Sequence, residues 1–220
     1  MIESKNFALV SAEMKRLLLF DFDGVVVDSL EFYEASVNLC LEKIGEPRLE
    51  SRSDFLELFD DNFYAGIMRR GIDQKAFTEA TVQVAPYLNF GSISLYGEVV
   101  QVIEALKKDH NLSLISSNSA HAIRHIFEKV DFYFEHVLGF EFMFSKIEKI
   151  RHETKRTGIS AESTYYIGDT LGDILEAKAA GVKTVAVTWG WHPKERLVTG
   201  NPDYVVDSPR EILKLFTNKF

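Results

Sequence analysis

Asp21 and Asp23 stand one residue apart at the end of the apolar run Leu17-Leu18-Leu19-Phe20, and Gly24 follows them. Two carboxylates this close repel unless a cation lies between them or one keeps a proton. Ser116-Ser117-Asn118 and Gly168-Asp169 close two further apolar runs, Asp173 follows Asp169 by four residues, and Lys146 opens a segment of helical period. Three carboxylates on one edge suit a hard cation with oxygen ligands, and Mg²⁺ is the expected ion. A serine hydroxyl with adjacent backbone N–H groups at a strand–helix turn is a phosphate cradle. A lysine supplies the remaining positive charge. Together these groups point to phosphoryl transfer, with a carboxylate as the attacking group and the cation and lysine offsetting the negative charge that gathers. The plainer alternative for residues 21–24 alone is an acidic turn, since Asp is a common turn residue.

The chemistry requires elements that bring these stretches together. Leu17–Phe20 reads as a buried parallel strand, apolar on both faces. Strand alternation points Asp21 and Asp23 the same way and turns Phe22 into the protein. Gly24 permits the tight turn. Leu112–Ile115, Val137–Leu138, Thr164–Ile167, Thr184–Val187 and Tyr204–Val206 read as further strands. Helical patterns separate them over residues 97–106, 121–130, 146–156 and 171–180, with a last helix from Pro209. That alternation predicts an α/β fold: a doubly wound parallel sheet, Rossmann-like, with the ends of three strands on one edge. Residues 30–95 show only helical patterns, over 30–44, from an expected N-cap at Ser53 through Phe59, over 63–68 and over 73–84. They are expected to form an all-helical cap domain inserted in a core made of 1–29 and 96–220, with Asn89–Ser92 as a hinge. Phe7–Val10 is apolar but too short to assign between an extra strand and a packed arm.

Composition narrows the function classes. The chain has 220 residues, 46% of them hydrophobic, enough for a packed core and a smaller insert. A formal net charge of −8 argues against nucleic acid or an anionic membrane as the main partner. Cys40 is the only cysteine, so no intrachain disulfide forms, which fits a reducing compartment. No apolar run approaches the ~20 residues of a membrane span. Nor does the N-terminus show a basic region before a long apolar core. A cytoplasmic enzyme, monomer or homodimer, is expected.

Asp21-Phe22-Asp23-Gly24-Val25, Ser116, Lys146 and Gly168-Asp169-Thr170-Leu171-Gly172-Asp173 resemble, in order, the four motifs of the haloacid dehalogenase superfamily. The insert resembles its small helical cap. Val187–Trp191 and Asn201–Pro209 resemble the C-terminal end of phosphoglycolate-phosphatase-like members. The resemblance covers about residues 16–217 and implies roles. Asp21 is the nucleophile, and Asp23 the general acid/base. Ser116 is the phosphate-binding hydroxyl, with Gly24, Ser117 and Asn118 beside the phosphate. Lys146 balances charge. Mg²⁺ is held by Asp21, Asp169 and the backbone carbonyl of Asp23, with Asp173 just outside. An acid at Asp23 favours alkoxide-leaving phosphate esters over dehalogenation. The implied activity is hydrolysis of a small phosphorylated metabolite, phosphoglycolate-like or a sugar phosphate, through an aspartyl-phosphate. A phosphomutase of the beta-phosphoglucomutase type shares the first step, and a non-catalytic binding protein on this fold is the reading from another class. Two departures leave choices open. Ile147 replaces the proline that often follows the lysine, and Lys149, one turn on, competes for its role. Ser117 competes with Ser116.

Other residues read more simply. Asp28 and Ser29 suit caps of the first helix. His121, His125 and His136 form no metal-like cluster. Phe132, Tyr133, Phe134, Phe140, Phe142 and Phe144 suit packing, since no basic groove accompanies them. Arg69 and Arg70 offer either a clamp for a substrate carboxylate or a basic helix end before Gly71. Trp189 and Trp191 either wall the site or pack beneath it.

Overall fold

The computed structural model describes residues 15–128 and 132–217. Phe7–Val10 and the last residues of the helix expected over 121–130 lie outside them. The chain runs β1 (Leu17–Phe20), β2 (Val27–Asp28), α1 (Leu30–Lys43), α2 (Arg52–Glu57), α3 (Phe63–Arg69), α4 (Gln74–Val84), β3 (Ser94–Leu95), α5 (Gly97–Leu106) and β4 (Asn111–Ile115). It continues α6 (Ala120–Glu128), β5 (Val137–Leu138), α7 (Lys146–Thr157), β6 (Thr164–Gly168), α8 (Leu171–Ala180), β7 (Lys183–Val187), α9 (Lys194–Leu197), β8 (Tyr204–Val206) and α10 (Pro209–Phe216).

Six strands form one parallel sheet in the order β5-β4-β1-β6-β7-β8. β1 is central because its side chains are apolar in both directions. Leu18 and Phe20 pack with residues of α5, α6 and α10, while Leu17 and Leu19 pack with Ile150 of α7 and Ala177 of α8. Helices therefore cover both faces, as a doubly wound sheet requires. β4 and β6 flank β1, so the C-terminal ends of all three are neighbours, where such sheets place their ligands.

Between β2 and β3 lies the helical insert. α1, α3 and α4 bury their own cluster, which includes Val37, Cys40, Phe63, Ile67 and Phe77. Trp191, from far along the chain, is buried in the same cluster.

Three local expectations are corrected. The N-cap of α2 is Ser51, not Ser53, because Ser51 and Asp54 form a reciprocal capping box. Residues 30–95 are not free of strand, since Ser94–Leu95 pairs antiparallel with Val27–Asp28. Asp28 thus belongs to a strand rather than a cap. The short helix α9 was not visible as a periodic pattern; four residues give too little period to read.

Candidate active site

Asp21 continues β1 by one bond, its N–H donating to the Ile167 carbonyl of β6 at 2.9 Å. The chain then turns sharply at Gly24, whose φ is +76° and whose N–H donates to the Val27 carbonyl at 2.9 Å. A side chain at Gly24 fails twice: the positive φ disfavours it, and its Cβ would stand 2.0 Å from Asp169 Oδ2. Gly24 therefore serves the turn and the close approach of Asp169, and its N–H is already used. Phe22 is fully buried, its ring 5.4 Å from that of Phe127. Asp21 and Asp23 stand together on the other side, both buried.

Asp169 follows β6, and Asp173 lies in the first turn of α8. One carboxylate oxygen each from Asp21, Asp169 and Asp173 falls within 4.8 Å of the others. The three are not equivalent. Asp173 is saturated: Oδ1 accepts from Lys146 Nζ at 2.5 Å, and Oδ2 accepts from Thr170 Oγ1 at 2.8 Å and the N–H groups of Thr170 and Asp169 at 3.1 and 3.2 Å. Asp21 Oδ2 accepts from Lys146 Nζ at 3.0 Å, and Asp169 Oδ2 from the Trp191 N–H at 2.7 Å. The remaining oxygens, Asp21 Oδ1 and Asp169 Oδ1, are buried with no hydrogen-bond partner among the described residues. Buried polar atoms without partners are costly. Two such carboxyl oxygens beside a third acid fit a hard divalent cation such as Mg²⁺. Asp23 does not join them through its side chain: Oδ1 accepts from Ser29 Oγ at 2.7 Å and Oδ2 from Asn118 Nδ2 at 3.4 Å.

Burial pushes the Asp21 carboxyl up to about 7, with Asp173 and Asp23 adding to the rise and Lys146 opposing it. Burial likewise holds Asp169 well above the usual carboxylate range, reinforced by Asp173 and Asp21. Asp23 rises to about 6 through burial, against hydrogen bonds from Ser29 and Asn118. Burial disfavours the Lys146 cation, but the Asp173 and Asp21 carboxylates outweigh it, so Lys146 stays charged.

The two lysines are now distinguished. Lys146 Nζ faces Asp21 and Asp173. Lys149 is fully buried and donates to the Ser116 carbonyl at 2.6 Å, which ties α7 to the loop after β4. Burial, aided by Lys146, brings Lys149 down to about 7. Ser116 and Ser117 both line the polar chamber with Asp21, Asp23 and Lys146. Ser116 Oγ accepts from the Asn118 N–H at 2.9 Å, shaping the turn.

Several contributors escaped the sequence reading. Ser29 was read as a cap, yet it makes no side-chain cap bond and instead holds Asp23. Glu176 accepts from the Lys146 N–H at 2.9 Å and from Asn62 Nδ2 at 3.1 Å, joining the insert to the base of α7. Tyr64 donates to the Ser117 carbonyl at 2.9 Å. His192 bridges the Leu171 N–H and the Leu56 carbonyl, each at 3.0 Å. These pairings cross the chain and leave no periodic mark; Gly172 alone hints at one. The Gly172 N–H donates to Phe59 at 2.8 Å, and a Cβ there would meet the Asp61 carbonyl at 2.0 Å.

Trp191 packs on Tyr33, Phe55 and Phe59, with centroids 5.4, 5.4 and 4.9 Å away. It walls the chamber with Tyr33 and Phe59. The free space there is about 10 Å³, about the size of one water molecule. Arg69 is exposed and pairs with Asp61, and neither it nor Arg70 lines the chamber. Phe132 and Phe134 are core residues, as read, while Tyr133, Phe142 and Phe144 are exposed.

A family model described as haloacid dehalogenase-like hydrolase matches residues 18–187. A phosphoglycolate phosphatase of Synechococcus elongatus is 26% identical over 205 residues, covering 91% of this chain and 96% of that protein. One from Colwellia psychrerythraea is 26% identical over 218 residues, covering 90% and 96%. The crystal structure of a hydrolase from Pseudomonas syringae shares the fold, with a TM-score of 0.77 at 16% identity over 91% of this chain and 97% of that one.

Proposed function

The chain belongs to the haloacid dehalogenase-like hydrolase family, and from that premise we propose that it is a Mg²⁺-dependent phosphatase acting on a small-molecule phosphate monoester through an aspartyl-phosphate. The observation that carries this reading is the set of Asp21, Asp169 and Asp173 oxygens within 4.8 Å, two of the residues keeping an unpartnered buried oxygen, with Lys146 against Asp21 and Asp173. A cation bound by Asp21 and Asp169 supplies charge neutralisation for the nucleophile and the phosphoryl group. The chain's own residues do the rest.

An Asp21 oxygen attacks phosphorus, and the bond from phosphorus to the leaving oxygen breaks. The Asp23 carboxyl gives its proton to that oxygen, so an alcohol departs. Asp23, now a carboxylate, takes a proton from water as the water oxygen attacks phosphorus. The bond to Asp21 breaks, its carboxylate returns, and inorganic phosphate leaves. Lys146 stays charged throughout and steadies Asp21. Ser116 and Ser117 line the phosphoryl position. The helical insert acts as a cap domain over residues 30–95 that excludes bulk water when closed. The site residues and the cytoplasmic setting are part of the same proposal.

The test is inorganic phosphate release from p-nitrophenyl phosphate. The reading predicts release that needs Mg²⁺ and falls on the order of 10⁴-fold or more in Asp21→Asn. Undiminished release from that variant would remove Asp21 from its role.

A further inference from the structure

We propose that the leaving group accepted here is a bulky, uncharged, largely apolar alcohol rather than a short carboxylate such as glycolate. This rests on the phosphatase reading and specifies its substrate class. A cavity of about 470 Å³ lies between α1, α3, α4 and the loop after β4, a size that suits a ring-bearing molecule. Its walls include Phe32, Val37, Phe77, Leu88 and Phe90.

The cavity adjoins the chemistry. Tyr33 and Ser117 line both it and the polar chamber. Asn118 lines the cavity while donating to Asp23. A leaving oxygen near Asp23 therefore carries its substituent into this space.

Charge decides the class. Among the described residues no lysine or arginine lines the cavity; its basic lining residues are the imidazoles of His121 and His125, both exposed, and His125 already faces Glu128. Its acidic lining residue is Glu141, which accepts from the Ala120 N–H at 3.0 Å and from Ser119 Oγ, and so already occupies the start of α6. A buried carboxylate here would meet Glu141 and no matching guanidinium or ammonium, an unfavourable burial. Arg69, a candidate carboxylate clamp, does not line the cavity; it is exposed and paired with Asp61. An apolar substituent meets walls that welcome it.

Three alkyl esters with alkoxide leaving groups separate size from charge: 2-phenylethyl phosphate, ethyl phosphate and 2-phosphoglycolate, assayed side by side at pH 8. The expected order of kcat/KM is phenylethyl, then ethyl, then phosphoglycolate, with about 10- to 100-fold between first and last. Ser36, half-buried on the cavity wall, gives the second arm. Ser36→Trp fills the space and is expected to cut kcat/KM for phenylethyl phosphate about 10-fold while leaving ethyl phosphate within about 2-fold. Phosphoglycolate turned over as well as or better than phenylethyl phosphate overturns this inference and leaves the phosphatase reading standing. Equal losses on both esters in Ser36→Trp do the same. No Mg²⁺-dependent hydrolysis of any ester overturns both.

Discussion

Asp21 and Asp23 are the same residue type two positions apart, and their surroundings differ in the way the proposed division of roles requires. Asp21 keeps an unpartnered oxygen beside Asp169 and an ammonium on its other oxygen. Asp23 is held by a hydroxyl and an amide, away from the acidic cluster. The Ser29 hydrogen bond favours the Asp23 carboxylate, so its loss leaves burial less opposed. Ser29→Ala is expected to move the Asp23 limb of the pH–kcat/KM profile upward by about 1 unit, since a hydrogen bond to a charged group is worth roughly 1.5 kcal/mol. An unmoved limb would contradict the role given to Ser29. At this scale the sequence showed the acids, Lys146 and the serine pair, because each follows an apolar run or opens a helix. It hid Ser29, Glu176 and Tyr64, whose partners lie 6 to 53 residues away, or 30 in the case of Glu176 and Lys146. Spacing along one element says nothing about such partners.

The elements explain why distant acids meet. β1 lies between β4 and β6, and each of the three strands hands its next residues to the same edge. This was legible because Leu17–Phe20 is apolar at every position, which only a sheet covered on both faces tolerates. Val27–Asp28 and Ser94–Leu95 were not legible as a pair; two residues carry no alternation, and their partner is remote. They matter nonetheless. The antiparallel pair stands where the chain leaves the core and where it returns, fixing both ends of the insert. The misplaced cap at Ser53 has a local cause: Ser51 and Ser53 both suit an N-cap, and only Asp54, three residues after Ser51, selects the first. The choice between Lys146 and Lys149 is of the same kind. One turn of α7 separates them, and only the packing of that helix shows which ammonium faces Asp21.

For the molecule as a whole, the acidic centre is a liability that a bound cation would relieve. In the folded protein without a cation, Asp21 sits near 7 and Asp169 is raised well above 3.8. The folded state then holds protons that the unfolded chain has released, so stability falls as pH rises from about 4 to about 7. On the proposed reading a divalent ion would bind the deprotonated acids and reverse that loss. The thermal shift produced by Mg²⁺ is therefore expected to grow with pH, small at pH 5.5 and about 5–10 °C at pH 7.5 with near-saturating ion. A shift that shrinks as pH rises, or is absent at pH 7.5, would contradict a cation among these acids. Trp191 ties the insert to the same centre. It joins the insert's apolar cluster by its ring and holds Asp169 by its backbone N–H. Among the described residues no helix is long and apolar enough to cross a membrane.

The most direct test of Asp21 as the attacking group uses Asp23→Ala with p-nitrophenyl phosphate. Nitrophenolate leaves without a proton donor, so the first step proceeds, while the water step lacks its base. The account predicts a burst of about one nitrophenolate per chain and a phosphoryl group recovered, after acid quench and peptide mapping, on the segment that contains Asp21. A phosphoryl group on any other residue, or slow release with neither burst nor label, would contradict it.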